Sequence, residues 1–397
     1  MNVDYYRRSN ESIHHGALTN SKRPSCFIKE IYPSHVTKAE DCYLYDVDGK
    51  KYVDFICALG TSLLGYANIQ LNDAIIRQIH KGTVYSLGSV LEVQAAEKMK
   101  ELFPFTGKVR FLKTGTEAAS ASLRIAMAHT GRDKVLSHGY HGWSDSFVSL
   151  TEPGLGVPKQ VHIEKFENLS QIDETVACVI IEPIITELSK ERLLYLQDLK
   201  QKCKKTGTLL IFDEIITGFR FPKFSFSNYS GIHPDILLLG KAIGGGLPLS
   251  CVLTAKGIGE DKDWFVSSTF AGDTAALAGF MKLTELLTNE YKLDRLWDSG
   301  EYFQSRFNDL SDIVKIEGYP TRGVFVGDDL NKALFFQESC KAGILLGPSF
   351  FYNFSHMRIS DVVLNSFKDI LTRIKNNQVK LEGTMPLTPF AQKVREK

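Results

Sequence analysis

The run T-L-L-I-F-D-E-I-I-T-G-F-R (208–220), followed after a looser interval by P-D-I-L-L-L-G-K-A-I-G-G-G-L-P-L-S (234–250), decides the fold. Its two short apolar runs, Leu209–Phe212 and Ile236–Leu239, have the length and bounding of strands buried on both faces. Each delivers one charged residue at its C-terminal end, Asp213 from the first and Lys241 from the second. Open α/β sheets hold their ligands at that edge. A carboxylate and an amine therefore meet where a ligand would sit.

That pair suits one chemistry. The amine can form a Schiff base with an aldehyde, and the carboxylate can keep a heteroaromatic nitrogen protonated, which is the division of labour that pyridoxal 5'-phosphate (PLP) requires. The competing reading makes Asp213 a strand-end cap and Lys241 a solvated loop lysine, and for a lone strand–Lys–Gly it would prevail. Here Gly240 precedes Lys241 and Gly244-Gly245-Gly246 follow it, and glycines let backbone approach a planar ligand closely. D-E-I-I-T-G-F-R followed by L-G-K-A-I-G-G-G-L-P resembles the signature of the class III aminotransferases, which have the type I fold of PLP enzymes. Within that family the likeness runs towards the glutamate-1-semialdehyde aminomutases. It covers about Asp46 to Ala278 well and the last third loosely. The expected architecture is α/β, a large domain with a mostly parallel sheet flanked by helices, plus a small α+β domain.

Size and composition fit an enzyme of that kind. A chain of 397 residues can bury a large core and form two domains. With 47 basic against 46 acidic side chains, no charge footprint points to nucleic acid or an anionic membrane. The seven cysteines are scattered and contain no C-x-x-C, which points to reduced thiols in a cytoplasm and not to a disulfide framework or a metal site. No apolar run approaches the ~18 residues of a membrane span, and the polar N-terminus has no signal-peptide core.

Along the chain, residues 1–40 read as irregular, and Tyr43–Asp54 as a hairpin around Asp48-Gly49. Expected boundaries are 1–55 for a segment joining the small domain, 56–285 for the large domain, 286–378 for the small domain and 379–397 for a loosely docked tail. From about 275 one long helix is expected to lead away from the sheet. Val109–Lys113 reads as a strand feeding Thr114-Gly115-Thr116-Glu117 and an Ala-rich helix, a turn that can cradle phosphate with free N–H groups and the helix dipole. A Walker loop is excluded, because Asp235 stands where it needs glycine and Ala242 where it needs Ser/Thr.

The resemblance assigns roles. It makes Lys241 the Schiff-base and catalytic lysine, Asp213 the partner of the pyridine nitrogen, and Gly115 and Thr116 the phosphate cup. Tyr140 stacks on one ring face and Ile215 presses on the other; the bland alternative for Tyr140 is a turn tyrosine packed on the core. Thr269 reaches the phosphate of a neighbouring subunit's cofactor, which implies a homodimer with shared sites. Asp273 and Thr274 depart from the Asn and Pro usual there.

Four departures separate the chain from the aminomutases. Cys26 aligns with their substrate arginine and Leu59 with their active-site tryptophan. Their gating loop is shortened between Phe147 and Gln160, and their E-P-x-x-G-N is replaced by Glu182-Pro183-Ile184-Ile185-Thr186-Glu187. That last run resembles the ω-aminotransferase branch, where the second glutamate pairs with an arginine that is released to bind the donor's carboxylate. The pair here would be Glu187 and Arg358; the alternative is two solvated surface charges. The expectation is a ping-pong transamination from an amino acid donor, glutamate, to an aldehyde or ketone of a small metabolite such as a sugar. An intramolecular aminomutase and a cofactor-binding paralogue without turnover are the rival readings.

Overall fold

A computed structural model describes residues 3–150 and 155–386. They form two compact units: one spans Ile69–Leu293, the other joins the chain up to Asn68 with the chain from Asp294. Both divisions fall later than the expected 55 and 285.

The unit Ile69–Leu293 holds a seven-stranded sheet. Its strands are β1 (Thr106–Leu112), β2 (Lys134–His138), β3 (Ile163–Lys165), β4 (Val176–Ile181), β5 (Leu209–Asp213), β6 (Ile236–Leu239) and β7 (Ser250–Ala255). They lie in the order β1-β7-β6-β5-β4-β2-β3. Every neighbouring pair is parallel except those of β7, which is antiparallel to both β1 and β6. This is the expected α/β architecture. Strands β4, β5 and β6 are buried along their whole length, which is why they read as unbroken apolar runs. The edge strand β3 escapes that test, because only Ile163 of its three residues is buried.

Helix Gly115–Thr130 lays Ala118, Ala119, Ala121, Leu123, Ile125 and Ala126 against the sheet. Thr114 and Glu117 form its capping box, and Gly131 ends it with φ of 68°. Helix Lys190–Thr206 opens on Ser189 and ends at Gly207 (φ 67°). The single helix expected from 275 is instead two, Thr274–Asn289 and Leu293–Leu310. The N–H groups of Glu290 and Tyr291 both turn back to the carbonyl of Leu286 at 2.8 Å, and that shared acceptor ends the ladder.

In the other unit, strands 36–40, 43–46 and 51–54 form a sheet completed in parallel by 344–345, and strands 314–319, 322–327 and 349–351 form a second. The irregular reading of residues 1–40 needs correction. Val3–Ser12 is a helix with Arg7 ion-paired to Glu11 at 2.8 Å, and Val36–Glu40 is a strand. Neither carries an apolar period: the helix is supported by i,i+4 charge pairs and the strand is almost wholly exposed. Beyond 379, Gln337 holds the chain by donating to the Lys380 carbonyl (2.9 Å) and accepting from the Glu382 N–H (2.8 Å). The rest of the expected tail, 387–397, lies outside the described residues. No helix among the described residues is long and apolar enough to cross a membrane.

Gly300, inside helix Leu293–Leu310, lets that helix close on Pro320; a Cβ there would meet the Pro320 carbonyl oxygen at 2.2 Å. Helix propensity alone favours alanine by about 1 kcal/mol, so Gly300→Ala should be stabilising if packing is indifferent. We expect the opposite, a loss of about 2 kcal/mol from overpacking, read from urea unfolding.

Candidate active site

Three sheet edges of the unit Ile69–Leu293 supply the site. At the end of β5, Asp213 is buried; its Oδ1 accepts from the Ile215 N–H at 3.1 Å and its Oδ2 lies 2.7 Å from His141 Nδ1. His141 is equally buried, and its Nε2 lies 3.0 Å from the His138 carbonyl. A carbonyl only accepts, so Nε2 carries a hydrogen. A second proton must then lie between Nδ1 and Oδ2, since two lone pairs would repel at that distance. The couple is therefore held as one unit with a shared proton. The sequence reading assigned His141 no role; its spacing from the end of β2 was the available signal.

The next residue, Glu214, points the other way. It is fully buried, and its carboxylate accepts from the hydroxyls of Thr217 and Ser227 and from the N–H groups of Phe226 (2.7 Å) and Ser227 (2.8 Å). Burial pushes its carboxyl above the usual range, and those donors oppose the shift. Glu214 thus fixes the chain after β5 and leaves Asp213 to face the site.

Beyond β1, the capping box of helix Gly115–Thr130 uses the N–H of Glu117, while the Ala118 N–H bonds to the Thr114 carbonyl. The N–H groups of Gly115 and Thr116 lie outside both the box and the ladder, at the positive end of the helix dipole. That donor set fits a phosphate. Thr116 Oγ1 also accepts from the Ser144 N–H at 3.1 Å, and a Cβ on Gly142 (φ 105°) would collide with Thr116 at 2.5 Å. The Tyr140 N–H donates to Glu182 Oε1 at 2.9 Å, so the buried glutamate at the end of β4 sets the turn that carries Tyr140.

After β6, Lys241 holds φ of +48°. A non-glycine residue in the left-handed region is uncommon, and such strain concentrates at functional sites. What unites the three edges is Ile215. A Cβ on Gly115 would meet it at 2.7 Å and one on Gly240 at 3.2 Å, so its side chain is wedged between the start of helix Gly115–Thr130 and the lysine turn. Gly245 has a different reason from the expected approach to a ligand: a Cβ there would strike Leu71, so its task is helix packing.

The structure thus gathers Gly115, Thr116, Tyr140, Asp213, Ile215 and the Lys241 turn within one unit. Thr269 is exposed in the loop before helix Thr274–Asn289. Glu187 is exposed on the same unit and accepts from the Ser189 hydroxyl. Arg358 is exposed at the end of the short helix Phe354–Arg358 in the other unit. Part of the expected shortened loop, 151–154, lies outside the described residues. The other unit also holds a feature that no motif announced. Cys57, Ala58 and Leu59 have φ of 48°, 48° and 60° in succession. The buried Asp54 carboxylate steadies that turn by accepting from the N–H groups of Ile56 (2.8 Å) and Cys57 (3.0 Å) and from the Tyr66 hydroxyl (2.6 Å).

A family model, that of aminotransferase class III, matches residues 29–374. The chain belongs to the class III aminotransferases. With the family comes its cofactor, PLP, and the standing of an enzyme. Among curated relatives, a glutamate-1-semialdehyde 2,1-aminomutase of Methanothrix thermoacetophila is 32% identical over 386 residues, covering 85% of this chain and 90% of its own. Among solved structures, the FumI protein of Sphingopyxis sp. MTA144 in a PLP form superposes with a TM-score of 0.88 at 21% identity, over 97% of this chain and 98% of its own. A glutamate-1-semialdehyde aminomutase of Pseudomonas aeruginosa PAO1 gives 0.81 at 18% identity, over 93% and 94%. At such identities the structural likenesses establish the family's fold.

His141→Phe would leave Asp213 buried without its proton-sharing partner. We expect a loss of about 3 kcal/mol in denaturant unfolding of the unloaded protein, against under about 0.5 kcal/mol for Lys204→Ala on the surface.

Proposed function

We propose that this chain is a PLP-dependent aminotransferase in which Lys241, Asp213 and the Gly115–Thr116 cup hold the cofactor. The observation that carries the reading is the wedge of Ile215 between Gly115 and Gly240, which ties acid, cup and lysine turn to one point. When bound, PLP supplies an aldehyde that captures the amine and a ring that stabilises the carbanion left by C–H cleavage. Gly115 and Thr116 would bind its phosphate with their N–H groups. Asp213 would keep a proton on the ring nitrogen, with His141 holding the carboxylate in place. Tyr140, set by Glu182, and Ile215 would hold the ring between them. Lys241 Nζ takes the proton from the amino-bearing carbon as general base and gives it back as general acid.

Two readings divide over the substrate. In the first, the amino group passes between two molecules, from glutamate to an aldehyde or ketone of a polar metabolite such as a sugar. Cys26, Leu59 and Glu187, each a departure from the aminomutase pattern, support it. Leu59 moreover sits in the strained turn 57–59. Glu187 and Arg358 would serve as the switch that admits donor and acceptor in turn. In the second reading the amino group migrates within one molecule. The name of the curated relative, glutamate-1-semialdehyde 2,1-aminomutase, favours this second reading over the first.

The loop that carries Thr269 exposes Phe265 and Phe270, and helix Val90–Leu102 exposes Val90 and Val93. These apolar side chains support a homodimer with Thr269 reaching the neighbouring cofactor. The seven cysteines are all buried and none forms a disulfide, which supports a cytoplasmic setting.

The test is a half-reaction. PLP-loaded protein mixed with glutamate alone should release one equivalent of 2-oxoglutarate per site and lose the cofactor–lysine absorbance, which carbonyl acceptors then restore. Turnover of glutamate 1-semialdehyde without any donor, and no 2-oxoglutarate from glutamate, would establish the migration reading instead. Lys241→Ala should show neither the absorbance nor turnover. Arg358→Ala should raise KM for glutamate at least about tenfold; an unchanged KM disposes of the switch.

A further inference from the structure

Lys113 stands between β1 and the phosphate cup. Its Nζ lies 2.7 Å from Asp273 Oδ2, and the two side chains are only 14% and 21% exposed. Asp273 has a second task, because its Oδ1 accepts from the Ala275 N–H at 3.0 Å and so caps helix Thr274–Asn289. The cup reaches the same loop by another route. Glu117 Oε2 accepts from the N–H groups of Lys113 (3.1 Å) and Thr114 (2.7 Å), and Glu117 Oε1 accepts from the Ser268 hydroxyl at 3.4 Å. Arg110 of β1 also donates to the Val266 carbonyl. Loop 266–273 is therefore fastened at its start to β1 and, through Ser268 and Asp273, to the strand–helix turn that forms the cup. An isolated surface ion pair contributes little; this one is largely withdrawn from water, and its acid also holds a helix end.

We propose that Lys113 and Asp273 act as a positioning latch for phosphate. The pair fixes the Thr114–Thr116 cup against loop 266–273, so phosphate affinity depends on the pair as a unit and not on Lys113 as a free cation. The inference rests on the reading that the cup takes the PLP phosphate. A free-cation role would have a different signature. Removing the Asp273 carboxylate would leave the cup more positive and tighten phosphate binding, whereas a latch must weaken. Asparagine is the right replacement, since it caps a helix about as well as aspartate.

The experiment titrates unloaded wild type, Lys113→Met, Asp273→Asn, the double variant and Lys113→Arg with PLP and with pyridoxal, which lacks the phosphate. Absorbance reads the binding, and thermal unfolding of each unloaded protein is recorded alongside. Each single removal should weaken PLP binding roughly tenfold. The double variant should bind no worse than either single. Lys113→Arg, which keeps the ion pair, should stay within about threefold of wild type, and pyridoxal binding should be the same throughout. Asp273→Asn binding PLP as tightly as wild type or tighter would overturn the latch. So would additive losses in the double variant, or an equal loss for pyridoxal. A wild type that binds no PLP would sink the cofactor reading itself, an outcome distinct from a wild type that binds while Asp273→Asn matches it.

Discussion

One aliphatic side chain sets the spacing of the whole site. Ile215 fills the room that a Cβ would need at Gly115 and at Gly240, and its own N–H is held by Asp213. Helix start, acid and lysine turn are thus referred to a single wedge. The constraint is steric, so it is stiff: close-packed interiors resist shifts of a few tenths of an ångström. Glycine at 115 and 240 is the complement of that wedge, and the two positions have meaning only together.

Much of this was legible in the chain. β5 and β6 announced themselves because strands covered on both faces must be apolar throughout, and their parallel pairing puts Asp213 and Lys241 at one edge of the sheet. Ser89 and Thr114 each have Glu three residues on, the spacing that the reciprocal bonds of a capping box need. What stayed hidden was set by tertiary context. The three-residue strand Ile163–Lys165 has no pattern of its own, since pairing with β2 creates it. The positive φ of Lys241 and of Cys57–Leu59 is imposed by surroundings against local preference. His141 stayed without a role because its partner lies 72 residues away.

Family and substrate are written at different places in the sequence. Asp213 is buried and Ile215 is wedged against Gly115 and Gly240, and in the proposed reading they serve the chemistry common to the class. The residues that depart from the aminomutase pattern are of another kind. Leu59 rides on a strained turn, Glu187 is exposed, and Cys26, though buried, belongs to the other unit, so none is held by the packing that fixes the sheet edge. Overall identity weighs all positions alike, so a relative's name and these few residues can point to different substrates without conflict in the fold.

The parallel pairing of Lys51–Asp54 with Ile344–Leu345 has a bearing on synthesis. The unit Ile69–Leu293 is one uninterrupted length of chain and can mature while its successor is still being translated. The three strands between 36 and 54 cannot acquire their fourth until the ribosome has passed residue 345, some three hundred codons after their own. Through that interval they carry an open edge, the state in which nascent chains are most exposed to wrong partners. The first strand in the chain, Val36–Glu40, is short and set with Lys38 and Glu40, a composition that discourages such pairing on its own side of the sheet.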